Sequence, residues 1–363
     1  MRGKILIALI LLSSIISGCS NKPSSEAVEI SEVIDINRLK KVDASSPGDI
    51  YKRSPEYICF QNADSVEFYF RNIRKIIIKN DKIYILDSAE DHLLIFDING
   101  FPLSRLSNLG RGPNEYLQIT DFDVDGRGNI WIVDGQRNVV CKYSSDFDPL
   151  AFFPFSYEID KIHCLANDNL LLQISSWDES EYAGTKLAVA DSSFNILHKL
   201  LKYPDNKDDN FMFRSEFSFV GTSTFYSDPI EDYLYEISED GKLLNTYYFD
   251  FGNDRVPDKY REDIELHYKE IKEMRFIFRS YRVSQKFITC GINHKKWYSA
   301  IIDRSNSTIS YLDSEETGYD LVGQCQLGSI WQLSKPAAKG EIPEEVKGWL
   351  WDDLDVLAIY PDR

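Results

Sequence analysis

Ile83-Tyr84-Ile85-Leu86-Asp87 returns 47 residues later as Ile130-Trp131-Ile132-Val133-Asp134. Each copy follows a turn, Asn80-Asp81-Lys82 before the first and Asp125-Gly126-Arg127-Gly128-Asn129 before the second. The match extends outward. Nine residues after each aspartate stands an aromatic, Phe96 or Tyr143, and ahead of the turns Ile76 and Ile78 correspond to Phe122 and Val124. A unit of strand, turn, strand, loop and strand at a period of about 40–50 residues is the signature of a propeller blade.

Weaker copies follow. Residues 161–173 carry the turn Asn167-Asp168-Asn169 before Leu170-Leu171-Leu172, with a third strand at 187–190 and a turn at Asp191. Residues 217–252 hold Phe225-Tyr226, Tyr233-Leu234-Tyr235-Glu236-Ile237 and Tyr247-Tyr248-Phe249. Residues 281–312 have hairpin turns at Asn293-His294-Lys295 and Ser305-Asn306. Residues 321–360 contain Ser329-Ile330-Trp331-Gln332-Leu333, an excursion rich in Pro, Lys and Glu, and a closing strand at 356–360. The reading is all-β, a six-bladed β-propeller over residues 28–363. One break in the pattern, at about 257–279, places Tyr260, Ile264, Ile271 and Met274 near helical spacing after Pro257 and Asp258; this predicts one inserted amphipathic helix, either capping a mouth of the channel or packed as filler. Residues 28–36 alternate apolar and polar side chains, and we expect them to close the ring by adding the outer strand to the last blade.

The start of the chain has a different character. Arg2 and Lys4 precede a mostly apolar run over 5–16, then Ser17 and Gly18, which is the pattern of a signal peptide spanning 1–18. The run is shorter than the ~20 residues a membrane-spanning helix requires. Ile16-Ser17-Gly18-Cys19 matches the bacterial lipobox, so Cys19 is expected to carry the acyl chains that hold the protein to a membrane. Residues 19–27 read as a polar tether. Ser20, where an aspartate would signal inner-membrane retention in enterobacteria, points to the outer membrane, on its periplasmic face or at the cell surface.

Charge narrows the partners. The chain has 41 Lys and Arg against 58 Asp and Glu, a formal −17, and loss of Arg2 and Lys4 with the signal peptide makes the balance −19. Nucleic-acid binders need basic surface to displace phosphate counterions, so a nucleic-acid partner is excluded from the expectation. Cys59, Cys141, Cys164, Cys290 and Cys325 show neither CxxC nor metal-ligand spacing, and they read as buried free thiols, with one disulfide among them as the alternative.

The paired Ile-Tyr-Ile-Leu-Asp and Ile-Trp-Ile-Val-Asp strands, the segment Gly110-Arg111-Gly112-Pro113-Asn114-Glu115-Tyr116, and the later Tyr235-Glu236-Ile237 and Asp250-Phe251-Gly252 resemble the six-bladed propeller lipoproteins of Bacteroidetes, relatives of NHL-repeat and TolB-like propellers. The resemblance spans nearly the whole mature chain. It implies a cell-envelope role and supplies no catalytic residues. The position after Pro113 is often glycine in that family; Asn114 departs from it.

Several clusters carry residue types capable of chemistry. Asp121-Phe122-Asp123-Val124-Asp125-Gly126 fits the first half of a calcium loop, but its twelfth position is Ile132 and its alternation is that of a hairpin. Arg111 and Glu115 in the glycine-containing loop could present a charge pair to a ligand, or simply shape a turn between blades. Trp177, in the polar stretch 175–182, is a candidate exposed stacking platform for sugar, whereas Trp131, Trp297 and Trp331 fall in strands where core packing explains them. His92, His163, His198, His267 and His294 are scattered and read as surface or locally bonded histidines. No serine-hydrolase elbow, phosphate-binding loop or dinucleotide fingerprint is present. The sequence therefore assigns no catalytic residue, metal or cofactor. It favours a scaffold that binds an envelope protein, peptide or glycan, with a metal-dependent lactonase or lyase using the central channel as the alternative.

Overall fold

A blade covered by neighbours on both faces needs apolar side chains on both sides of its strands, which is why Ile83-Tyr84-Ile85-Leu86 is a continuous apolar run and not an alternating one. In the computed structural model, which describes residues 29–61, 68–87, 89, 91–112, 115–204 and 216–361, successive side chains of this run enter two different cores. Ile83 and Ile85 pack with Ile330, Leu357 and Ile359 of the last blade. Tyr84 and Leu86 pack with Phe122, Ile130 and Ile132 of the next. The second copy does the same one blade on, with Trp131 and Val133 packed against Leu170 and Leu172. Signal peptide, tether, Cys19, Ser20, Pro113 and Asn114 lie outside the described residues.

The protein is a six-bladed β-propeller. Blade one is Ile73–Lys79, Lys82–Asp87, His92–Asp97 and Pro102–Leu106, antiparallel in that order. Blade two is Asp121–Val124, Ile130–Asp134, Val139–Tyr143 and Pro149–Pro154; blade three is Ile159–Cys164, Leu170–Ile174, Thr185–Ala190 and Ile196–Lys202. Blade four comprises Glu216–Val220, Ser223–Ser227, Tyr233–Ser238 and Leu243–Asp250, and blade five Arg275–Val283, Phe287–His294, Trp297–Asp303 and Thr308–Leu312. Blade six joins Tyr319–Gln324, Gly328–Leu333 and Val356–Pro361 to Glu56–Cys59 from the other end of the chain. Each first strand lies beside the first strands of its two neighbours, so the six surround the axis.

Ring closure corrects one expectation. The strand within 28–36, Glu32–Asp35, does not join the last blade. It runs parallel to Leu243–Asp250 as a fifth strand of blade four. Its alternation buries Ile34 and Ile36 in the core shared by blades four and five and leaves Val33 exposed. Lys40–Lys41 then adds a parallel fifth strand to blade five. Only Glu56–Cys59 seals blade six, carrying Ile58 into the core with Phe60, Phe96 and Leu357. Residues 32–59 thus form a strap over the outside of three blades. The Tyr51 hydroxyl, hydrogen-bonded to Thr289 of blade five at 2.8 Å and to Ser329 of blade six at 3.0 Å, fixes the strap to both.

The insertion also differs from a single helix over 257–279. It forms two four-residue helices, Asp258–Arg261 and Tyr268–Ile271, and residues from Arg275 onward already belong to blade five. The apolar positions read from the sequence do face inward: Ile264 and Ile271 are buried with Ile230, Val256 and Phe276. Buried Asp232 pins the segment through Arg255 at 3.1 Å and Arg261 at 2.8 Å. The longest described helix is instead Glu344–Trp351, inside the excursion of blade six. The five cysteines in the described residues are free thiols; all but the half-buried Cys164 are buried.

Candidate functional site

Antiparallel strands alternate in direction, so the connections of every blade sort onto two faces of the ring. First-to-second and third-to-fourth connections emerge on one, here the turn face. Second-to-third connections and those between blades emerge on the other, the loop face. Arg111 and Glu115, between blades one and two, and Trp177, between the second and third strands of blade three, all stand on the loop face. The structure does not bring Arg111 and Glu115 together as a pair. Glu115 folds back to accept the Gly112 N–H at 2.6 Å, and its carboxylate occupies the space where a Cβ at Gly110 would stand. Arg111 is exposed. Trp177 is 55% exposed, as its polar surroundings suggested, and Trp351 is 58% exposed. Trp297, expected in a packed strand, stands at the first position of its strand and is 38% exposed, whereas Trp131 and Trp331 are buried.

Along the axis, charged side chains of the first strands of blades one, two and five reach to the next blade. Lys75 donates to the Asp121 carboxylate at 2.9 Å and to the Phe122 carbonyl at 2.7 Å. Asp121 accepts the Ile162 N–H at 2.9 Å, and Asp123 accepts the Cys164 N–H at 2.6 Å while meeting His163 Nδ1 at 2.8 Å. Burial pushes the Asp123 carboxyl up, but His163 and the nearby lysines outweigh it and hold it down at about 2. Arg279 and Arg282 donate to the carbonyls of Leu321 and Cys325 in blade six. Inner strands have a free edge, and these side chains satisfy it. The acidic hairpin is accounted for in the same way, with Asp125 accepting from the N–H groups of Arg127 and Asn129. Among the described residues no three His, Cys, Asp or Glu side chains converge as metal ligands. His92 and His163 are buried beside Asp87 and Asp123, His198 lies 3.0 Å from the Gly241 carbonyl, and His267 stacks on Tyr260.

The fifth histidine belongs to a site that sequence reasoning missed. A cavity of about 520 Å³ lies between the strap and blade five. Registers place it: Tyr298 opposite Ile292 and Tyr311 opposite Ala300 share the blade face that packs on blade four. Ile36 and Leu39 of the strap lie across it. Arg275, opposite His294 at the loop-face end of the blade, meets Asn37 Oδ1 at 3.2 Å, His294 Nε2 at 3.3 Å and Asp254 at 3.4 Å. Burial and the adjacent Arg275 push His294 below the ordinary histidine value, so its imidazole is neutral at neutral pH. Lys41, Lys295 and Lys296 complete a basic rim. These residues are separated by up to about 270 positions in sequence, and each alone reads as a solvated charge.

Comparison with known proteins agrees with this architecture. Residues 33–335 match the family model described as Domain of unknown function (DUF4934). The chain belongs to this family. A Bacteroides fragilis protein named as a candidate exported protein superposes with a TM-score of 0.69 at 17% identity, covering 90% of this chain and 98% of that one. A member of the DUF4221 family from Bacteroides vulgatus does so with a TM-score of 0.55 at 10% identity, covering 85% and 96%. At these identities the likeness concerns the fold. No curated protein matches the sequence.

Proposed function

We propose that this protein is an exported, lipid-anchored scaffold that binds a protein, peptide or glycan partner on its loop face. The observation that carries the reading is the placement of the exposed tryptophans: Trp177, Trp297 and Trp351 come from three different blades, and all emerge on that face. Exposed large aromatics on one face suit recognition, because they supply contact area at low cost in conformational entropy. The axial charges, by comparison, are engaged in joining blades. Anchoring through Cys19, at the outer membrane, is part of the same reading; among the described residues no helix is long and apolar enough to cross a membrane. The first described residues lie beside blade four, where the Ser31 N–H bonds the Thr246 carbonyl, so the tether would hold the ring by that blade.

Two experiments test this. Cys19→Ser is expected to move a folded protein from the membrane fraction to the soluble one; continued membrane association would contradict the anchor. Purification from native membranes is expected to recover a consistent partner with the wild type and to lose it with Trp177→Ala/Trp351→Ala, while stability changes by no more than about 0.5 kcal/mol per substitution. Equal recovery with that variant would contradict the assignment of the face.

A further inference from the structure

We propose that the cavity between the strap and blade five binds an acidic saccharide, a sugar ring bearing a carboxylate; this rests on the partner-binding reading and names a ligand class for it. The first support is charge. In a chain of formal charge −17, the cavity draws together Lys41, Arg275, Lys295 and Lys296. Lys296 is paired with Asp313 at 3.1 Å and Glu316 at 3.7 Å. Neither Lys41 nor Lys295 has a carboxylate partner among the described residues. Positive charge without a carboxylate partner at the rim of a concave site favours an anion. Arg275, oriented by Asn37 and Asp254, adds a guanidinium whose geometry matches a carboxylate.

The second support is the rest of the lining. Tyr298, its ring centroid 5.6 Å from that of Tyr311, and the aliphatic Leu39 offer apolar surface to the C–H faces of a sugar ring, and Tyr311 lies 5.9 Å beneath the Lys41 ammonium. Asn37 and the neutral His294 offer hydrogen-bond partners to hydroxyl groups. Inorganic phosphate would satisfy the cations and leave the tyrosines unused. Volume and shape agree: about 520 Å³ lies within the ~300–1,000 Å³ typical of small-molecule sites. The site is a cup at one end of a blade. An acidic peptide would be better served by a trough along a strand edge, where its backbone could pair.

The test is calorimetric titration of the mature protein with mono- and disaccharides of a hexuronic acid, the matching neutral hexose, inorganic phosphate and a short Asp/Glu peptide. The expected result is saturable hexuronate binding, at least about tenfold tighter than the neutral sugar. Lys41→Gln with Lys295→Asn should weaken it at least about fivefold. Both side chains are exposed, and asparagine tolerates the positive φ of 65° at position 295, so thermal unfolding should not move. A neutral sugar, phosphate or peptide binding as tightly as the hexuronate would overturn the proposal, as would wild-type affinity in the double variant. If hexuronates fail while native membranes still yield a partner that depends on Trp177 and Trp351, the ligand class alone is wrong. If both fail, the binding reading falls with it.

Discussion

The two faces of this ring are built on opposite principles. On the turn face every connection between consecutive strands is at most five residues long, from 80–81 in blade one to 325–327 in blade six. Its chemistry is local. Asn80 and Asp81 both adopt positive φ in a two-residue hairpin, while Asp125, Asp191 and Asp303 each accept N–H groups from residues two to four further on. The loop face instead carries connections of 24 residues (251–274) and 22 residues (334–355), and with them the exposed tryptophans and the end of the basic cavity. One face defines the blades and the other is free to vary. Recognition is expected where the backbone is not already committed to folding.

Variants can break or sharpen this contrast. The largest effect is expected on the axis, on which both faces depend. Asp121→Ala removes the buried carboxylate that neutralises Lys75 and accepts the Ile162 N–H and should cost about 3–5 kcal/mol in denaturant unfolding; a loss below about 1 kcal/mol would show that the axial charges do not hold the blades. On the turn face, Asp125→Ala removes the acceptor for Arg127, Asn129 and Trp131. It should cost about 1–3 kcal/mol while leaving partner capture unchanged.

A smaller effect, with a sign set by pH, is expected at Asp355 in the loop-face excursion of blade six. Burial raises its carboxyl to about 6, and the hydrogen bond from Gln332 only partly opposes this. Because the folded value lies above the unfolded one, the contribution of Asp355 is complete below about pH 4 and is lost as pH rises through about 6. Asp355→Asn should therefore stabilise the protein by about 1–2 kcal/mol at pH 7.5 and leave it unchanged at pH 4. Asp123 has the opposite sign. Its lowered value gives stability that is present above about pH 4 and lost towards pH 2.

The sequence made the turn face legible for a physical reason. Each blade buries both faces of its second strand, which yields runs such as Ile130-Trp131-Ile132-Val133, and most of the tight turns carry an Asn, Asp or Gly of their own. The strap was half legible. Its alternation marks residues 28–36 as an outer strand, but which blade receives it depends on the path of the chain around the ring. The four-residue Glu56–Cys59 has no repeat to flag it. Within the insertion, the spacing of Ile264 and Ile271 gave the buried side correctly and overstated the helix, which breaks between Arg261 and Tyr268. The cavity left no signal, because Lys41, Arg275, His294 and Tyr311 become neighbours only through the strap and the blade register.

The central claim, that this propeller works through its loop face, is tested most directly by site-specific photocrosslinking in native membranes. A photoreactive residue would replace Trp177 or Trp351 on the loop face, or Phe101 or Leu327, which are 47% and 57% exposed on the turn face. The account predicts a discrete crosslinked partner from Trp177 and Trp351 and none from Phe101 and Leu327. Equal capture from both faces, or capture from the turn face alone, would contradict it.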